Sequence, residues 1–122
     1  MASLGRDAIL KSSDLKRECV SIPQWGGQVW VRELSATEYD SWEQQIFDLR
    51  AGKMRANISN LRASLCAVAI VDEQGKSIFS TEETKTLGMK SAKAIRLIFD
   101  TCCRLSGIGA DLDGQEVAEG NP

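Results

Sequence analysis

The segment ECVSIPQWGGQVWVREL constrains the fold of this 122-residue chain more than any other part of the sequence. Two runs rich in β-branched and aromatic residues flank the dipeptide Gly26–Gly27, which tolerates the positive φ angles of a two-residue turn. The pattern predicts an antiparallel β-hairpin over residues 18–34. With the turn at the two glycines, Ile22 is expected to face Val31, and Pro23, which lacks a donor N–H, fits only an edge position.

Four helices are predicted after the hairpin. Ser35 with Glu38, and again Ser80 with Glu83, form the capping-box pattern in which each side chain accepts from the other residue's unpaired amide. Gly88 is expected to end one helix in a left-handed conformation. On the three longer helices the apolar residues recur at spacings of three and four, which gives each helix one apolar stripe. The predicted helices span residues 36–50, 57–71, 81–87 and 91–105.

The run from Cys66 to Val71 is apolar on every side and admits two interpretations. A buried strand is one of them. The alanine content of the run and its continuity with the preceding helical stripe favour a helix instead. The sequence DEQGKSIF that follows predicts a turn through Gly75 and a short extended piece.

Length and composition predict a single domain with one hydrophobic core, because 43% hydrophobic and 26% charged residues are close to globular averages. The predicted fold class is α+β, mainly α, with an N-terminal antiparallel β-hairpin packed on a bundle of three to four α-helices and with disordered termini. Residues 1–17 are expected to form a loose arm with at most one helical turn, and residues 18–107 to form the domain. Residues 108–122, rich in Gly and acid, are expected to form a flexible tail.

The chain contains no histidine, which removes the commonest general base and the commonest metal ligand together. The acid pairs Glu82–Glu83 and Asp111–Asp113 are interpreted as a helix start and part of the tail, not as catalytic pairs. The tail motif DLDGQE lacks the further ligands and flanking helices of an EF-hand. We therefore predict no catalytic, cofactor-binding or metal site, and a protein that is not an enzyme.

The four cysteines show no C-x-x-C spacing, and two of them lie in strongly apolar segments. Free thiols in such segments behave as small hydrophobes, so reduced core cysteines are expected. Adjacent Cys102 and Cys103 lie on one predicted helix, and one of them is expected to be partly exposed. The cysteines are Cys19, Cys66, Cys102 and Cys103.

The formal net charge of −2 lacks the basic excess that neutralises a run of phosphates, so nucleic acid is not an expected partner. The clusters Lys16–Arg17 and Lys53–Arg55 are too short to bind it strongly. No segment has the apolar length of a signal peptide or of a membrane span. We expect a soluble, cytoplasmic protein with no membrane partner.

Tryptophans near the hairpin tip are candidates for partner contacts, because surface tryptophans often anchor interfaces. The alternative, that the helices cover Trp25 and Trp30, carries equal weight. The exposed hairpin edge could pair by strand addition, and any uncovered part of the apolar Leu65–Val71 segment could also be used. The predicted partner interface consists of Trp25, Trp30, Arg32, Leu65, Val68 and Ile70.

The order of the segments SIPQWGGQVWVREL, SATEYDSWE, AVAIVDEQGKSIFS and AIRLIFDTCCRLSG resembles the tail assembly chaperones of long-tailed bacteriophages. The resemblance runs from Ile9 to Gly107, and WGGxVWVREL followed by a capped helix is its best-defined part. It implies a protein without cofactor that acts in the host bacterial cytoplasm, coats the tape-measure protein and brings tail-tube subunits to it. It also implies self-association, and absence from the mature virion.

Three other interpretations remain open. A permanent tail-completion or connector protein would share this small α+β domain, and its presence in purified particles would separate it from a chaperone. A small regulatory protein that binds nucleic acid would need a basic face. An enzyme of unknown type would need chemistry that the missing histidine makes hard to supply.

Overall fold

The computed structural model of the chain describes residues 2–51 and 58–108. The fold class is α+β and mainly α, as predicted, with the hairpin preceding the longer helices. Two short 3₁₀ turns, Pro23–Trp25 and Thr81–Glu83, complete the secondary structure of the described residues. In chain order the helices and strands are α1 (Arg6–Lys11), β1 (Arg17–Ile22), β2 (Gly27–Arg32), α2 (Ala36–Arg50), α3 (Ile58–Ala69), β3 (Ile70–Val71), α4 (Thr84–Leu87) and α5 (Ala92–Ser106).

The hairpin forms, but its register differs from the prediction. β1 and β2 pair antiparallel with Ile22 opposite Gly27 and with Glu18 opposite Val31. The predicted pairing of Ile22 with Val31 is therefore wrong. Both side chains still lie on the same face of the sheet, because their positions differ from the predicted pairing by an even number of residues. Both are fully buried in the core.

The hairpin turn begins three residues earlier than predicted. Pro23–Trp25 forms a 3₁₀ turn, and Gly26 closes it with φ +73°. The amide of Gly26 donates to the carbonyl of Pro23 at 3.1 Å. The proline ring fixes the φ that the first position of such a turn requires, and its missing N–H is not needed there. Pro23 thus opens the turn and does not lie in an edge strand.

The interpretation of Cys66–Val71 as helix is right for its first four residues and wrong for its last two. α3 ends at Ala69, and Ile70 and Val71 become β3, which pairs antiparallel with β2. The strand order is β1-β2-β3, so β2 is central. Pairing with β3 satisfies backbone groups of β2 that would otherwise be buried without partners. The extended piece after Gly75 is confirmed, since Ser77 forms a bridge to Val71.

Both predicted capping boxes are present. The amide of Glu38 donates to Ser35 Oγ at 3.3 Å, and the amide of Ser35 donates to Glu38 Oε1 at 2.9 Å. The same reciprocal arrangement joins Ser80 and Glu83 at the start of the second 3₁₀ turn. These local hydrogen bonds satisfy amides that have no partner within the helix.

Gly88 does not adopt the predicted left-handed conformation. Its φ is −65°, and the chain continues through further turns to Lys90 before Ser91 caps α5. Gly107 does adopt this conformation, at φ +75°, where α5 ends. Because nothing lies within 4 Å of an added Cβ at Gly107, backbone conformation alone favours glycine there.

Helix α5 lies at the centre of the core. It contacts α3 and the two long strands, and the side chain of Ile98 at its middle is fully buried. Cys102 and Cys103 are both buried, so the prediction that one of them is partly exposed is wrong. A helix with neighbours on two sides can bury two consecutive positions, whereas a helix on a single surface cannot.

The core extends one residue beyond the predicted boundary. Ile108 is buried, and its amide donates to the carbonyl of Cys103 at 2.8 Å. The remainder of the predicted tail, residues 109–122, lies outside the described residues. At the other end, Arg17 already belongs to β1, and the predicted helical turn of the arm is α1, whose residues are all exposed.

Candidate partner-binding surfaces

An open groove of about 430 Å³ lies between α2, α3 and the 3₁₀ turn that leads into α4. We call it the α2–α3 groove. Its exposed lining is more apolar than polar. The capping box of Ser80 and Glu83 fixes the turn that forms one wall. The lining includes Ser41, Trp42, Gln45, Leu65, Val68 and Thr84.

Trp42 forms the floor of the groove. The sequence analysis assigned it to the core, and it is 4% exposed. Its ring packs edge-to-face on Phe99 of α5, with 5.6 Å between the ring centroids and 61° between the planes. The guanidinium of Arg62 lies 5.3 Å from the centroid of the same Phe99 ring. Aromatic pairs of this geometry add stability beyond the area they bury, so the floor is a rigid apolar surface.

An ion pair fixes the sheet to the start of α2. Arg32 donates from Nη1 to Glu38 Oε1 at 2.8 Å and from Nη2 to Glu38 Oε2 at 2.9 Å. Nη1 also donates to the carbonyl of Glu33 at 2.8 Å. Only 13% of the Arg32 side chain is exposed. The guanidinium predicted for the partner interface is thus engaged within the chain, where two-point pairing gives it a fixed orientation.

The hydrogen bonds from Arg32 lower the pKa of Glu38 below its ordinary value of 4.5, although partial burial opposes the change. The same contact raises the pKa of Arg32. A carboxyl group with a lowered pKa in the folded chain stabilises the fold above the pKa of the unfolded chain. That contribution is lost as the pH falls through the lowered value.

We therefore expect the stability difference between the wild type and Glu38→Gln to be constant near neutral pH and to shrink below pH 4.5. Urea unfolding followed by circular dichroism at several values between pH 7 and pH 3 measures this difference. Glu43→Gln, at an exposed position of the same helix, is the control and should give a difference near zero throughout. A Glu38→Gln difference that does not change with pH would contradict the assigned role of the ion pair.

A second, shallower depression of about 330 Å³ lies at one end of the sheet, and we call it the sheet-end depression. Trp30 of β2 is half-buried in its wall, with the guanidinium of Arg17 at 5.3 Å from the ring centroid. Ile78, which follows β3 in the chain, is 53% exposed and also lines the depression. The remaining lining comes from Gln28, Val29, Val71, Asp72, Glu73 and Gln74.

The six residues predicted as a partner interface are distributed over several environments. Leu65 is 4% exposed and Ile70 is 1% exposed, so neither side chain is accessible on this chain. Val68 is half-buried and lines the α2–α3 groove beside Leu65. Trp25 is half-buried against the core at the hairpin turn. Trp30 alone of the six lines the sheet-end depression, and its role in binding stays a prediction.

Sequence reasoning did not identify the polar rim of the groove, which includes Ser41, Gln45 and Thr84. The spacing of four residues between Ser41 and Gln45 places them on one helix face, and this was the available signal. The sequence does not show which elements lie opposite this face of α2, because the tertiary fold brings α3 and the second 3₁₀ turn to it.

Burial disfavours the thiolate form of the three buried cysteines, so they are poor nucleophiles at neutral pH. Burial raises the pKa of Cys102 to about 11 and that of Cys103 to about 12, and it also raises the pKa of Cys66. All four cysteines are free, and Cys19 is the exposed one. The thiols at Cys66, Cys102 and Cys103 therefore act as apolar packing groups, as the sequence analysis expected.

The described residues, 2–51 and 58–108, contain no group of three or more acidic or cysteine side chains arranged to hold a metal ion. Within the same residues, no helix combines the length and apolar character needed to cross a bilayer.

A family model for phage tail assembly chaperones matches residues 4–119 of the chain. The chain belongs to the phage tail assembly chaperone family. The match covers the arm, the hairpin and all the longer helices, so the resemblance seen in the sequence is confirmed. The family is named for a chaperone role, which is non-catalytic.

The fold of this tail assembly chaperone is similar to that of the bacteriophage HK97 tail assembly chaperone. The two are 19% identical, with a TM-score of 0.52, over 77% of this chain and 88% of the other. At this identity the similarity shows the fold alone. No curated protein sequence matches the chain.

Proposed function

We propose that this tail assembly chaperone binds the tape-measure protein and recruits tail-tube subunits to it during tail assembly. It acts in the host bacterial cytoplasm by non-covalent contacts, without a cofactor, and several copies bind along one client. It is absent from the mature virion. Membership of the family is the observation that carries this proposal.

The sheet-end depression is the surface that we assign to the tape-measure protein. It combines a half-buried tryptophan with an exposed isoleucine, Trp30 and Ile78, at the edge of a fixed sheet. Tryptophan is enriched among the residues that dominate binding energy, and exposed aliphatic side chains nearby add apolar area. The apolar face of a client helix can rest on such a surface and later leave it, because no covalent step is involved.

The test is co-expression of this chain with the tape-measure protein of the same phage, followed by purification through a tag on this chain and light scattering. Recovery of soluble tape-measure protein with several chaperone copies is the expected result. The variant Ile78→Glu should reduce recovery about tenfold or more, because a charge replaces an apolar contact. Leu97→Glu places the same charge at an exposed apolar position of α5 and should leave recovery unchanged.

Two results would contradict the proposal. Recovery of this chain alone, with the tape-measure protein insoluble, would contradict binding of the tape-measure protein. Stoichiometric presence of this chain in purified virions would favour the permanent tail-completion or connector protein instead. Equal losses of recovery with Ile78→Glu and Leu97→Glu would not contradict client binding by the wild type, but they would contradict its assignment to the sheet-end depression.

A further inference from the structure

A basic face lies at the start of α5. From Gly88 to Phe99 the chain carries three cationic side chains and no acidic one. All three cations are exposed, and Met89 beside them is 83% exposed, more than any other large apolar side chain of the described residues. Charge of one sign next to an exposed apolar side chain marks an interaction surface. We call Met89, Lys90, Lys93 and Arg96 the α5 basic face.

The charges of the α5 basic face are not neutralised within the part of the chain that the structure describes. Lys90 and Lys93 take part in none of the salt bridges found there. Arg96 lies 4.0 Å from Asp100, and both side chains are more than 60% exposed, so this pair is weak. The first turn of α5 contains no acidic residue. The face therefore remains positively charged and open to an anionic partner.

The segment that follows α5 has the opposite charge. Residues 109–122, which we call the acidic segment, contain four acidic side chains and no basic one. Leu112 and Val117 add apolar area to the segment. Opposite charges within one chain attract each other without the entropy cost of bringing two molecules together. The four acids are Asp111, Asp113, Glu116 and Glu119.

The acidic segment starts where α5 ends and is long enough to return to the α5 basic face. At about 1.5 Å of rise per residue, Arg96 and Lys93 lie about 15 Å and 20 Å from Ser106 at the end of the helix. An extended chain covers at most about 3.3 Å per residue, so the acids at positions 111–119 reach about 10 to 36 Å from Ile108. Both cations therefore lie within the range of the acids.

The charges of the other elements direct the acidic segment to this face. Helix α2 carries four acidic side chains and one basic, and the 3₁₀ turn Thr81–Glu83 adds two more acids. Like charges repel the segment from both elements. The N-terminal arm, residues 2–16, carries three basic and two acidic side chains, so its net attraction is small. The α5 basic face combines several cations with no acid of its own.

From these observations we propose that the α5 basic face binds the acidic segment of its own chain. The contact covers Met89 and weakens as salt screens the charges. It is autoinhibitory, because an acidic surface of another protein gains the face only by displacing the segment. The inference does not depend on binding of the tape-measure protein, since the sheet-end depression contains no residue of this face.

The test is nuclear magnetic resonance of the full-length, ¹⁵N-labelled chain without any client. Neutralising the segment with Asp111→Asn/Asp113→Asn/Glu116→Gln/Glu119→Gln should shift the amide signals of residues 89–97 relative to the wild type. In about 1 M NaCl, where the screening length is about 3 Å, the two spectra should agree over these residues. The control Asp7→Asn/Asp14→Asn/Asp40→Asn/Glu43→Gln neutralises four exposed acids elsewhere and should leave these signals unchanged.

A peptide with the sequence of residues 109–122 measures the competition directly. It should bind the variant with the neutralised segment about tenfold more tightly than it binds the wild type, whose own segment occupies the face. Lys90→Glu/Lys93→Glu reverses two charges at exposed positions and should abolish binding of the peptide. Equal affinities for the wild type and the neutralised variant would overturn the proposal.

Charge reversal on both sides tests whether the contact is specific. Lys90→Glu/Lys93→Glu should speed the picosecond-to-nanosecond motion of residues 109–122, measured by ¹⁵N relaxation. Adding Asp111→Lys/Asp113→Lys/Glu116→Lys/Glu119→Lys to that variant should restore the slower motion of the wild type. Failure to restore it would contradict the assigned pairing. Signal shifts at residues 89–97 that grow with protein concentration would also overturn the proposal, because the segment would then come from another copy.

Discussion

Ile98→Ala is expected to lower the free energy of unfolding by about 3 to 4 kcal/mol, the largest effect of a single substitution that we predict. Ile98 is fully buried at the middle of α5, within the cluster that joins α3, α5 and the sheet. The substitution removes three carbon atoms from a packed interior and leaves a cavity. Since small domains have only about 5 to 15 kcal/mol of stability in total, the loss is a large fraction of it.

Urea unfolding followed by circular dichroism measures this effect. Leu97→Ala is the matched control, because Leu97 precedes Ile98 on the same helix and is 39% exposed. It should change the free energy of unfolding by less than about 1 kcal/mol. Similar losses in the two variants would mean that α5 does not occupy the centre of the core.

Arg32→Ala is expected to lower the free energy of unfolding by about 2 kcal/mol. The change removes both hydrogen bonds to Glu38 and the one to the carbonyl of Glu33. It leaves the Glu38 carboxylate partly buried without its charged partner. The expected cost is below that of a fully buried pair because a third of the Glu38 side chain, 33%, is exposed.

A double-mutant cycle isolates this ion pair. Glu38→Ala and the double variant Arg32→Ala/Glu38→Ala complete the cycle, and the double variant should lose less than the sum of the two single losses. Arg96→Ala is the control, because its pair with Asp100 is 4.0 Å long with both side chains more than 60% exposed. Its loss should be below about 0.5 kcal/mol. Additive losses in the cycle would show that the pair contributes nothing.

Helix starts were predictable because their signals are local. Ser35 and Glu38 lie three residues apart, and the hydrogen bonds that cap α2 involve only these two residues. The stripe on α5 was predictable for the same reason, since Ile95, Ile98 and Cys102 are all buried as their spacing indicated. Family membership followed from the order of such segments.

The hairpin was predicted but its turn was not. Gly26 has the positive φ that the sequence analysis required, yet it closes a 3₁₀ turn that Pro23 begins. Pro23 and the pair Gly26–Gly27 both favour a turn within the same five residues. The fixed φ of the proline ring decided where the turn begins. The register therefore moved, while the alternation of faces, which places Ile22 and Val31 in the core, was kept.

The candidate interface shows where sequence reasoning stops. The Leu65–Val71 segment is apolar on every side and must be covered. The sequence does not show whether its own domain or a partner covers it. In this chain the domain covers Leu65 and Ile70, and Val68 remains half-buried in the groove. The exposed pair Ile9 and Leu10 was visible in the sequence as the apolar part of a polar arm, but the α2–α3 groove was not visible there.

The sequence by itself determined the helices, the hairpin, the absence of histidine and the family. The helices and the hairpin depend on residues within a few positions of one another, the absence of histidine on composition alone, and the family on the order of such segments along the chain. The tertiary structure decided that Ile70 and Val71 leave α3 to pair with β2, that Cys102 and Cys103 are both buried, and that α2, α3 and the second 3₁₀ turn enclose a groove. These features arise from contacts between residues far apart in the chain, where backbone pairing and packing outweigh local preference.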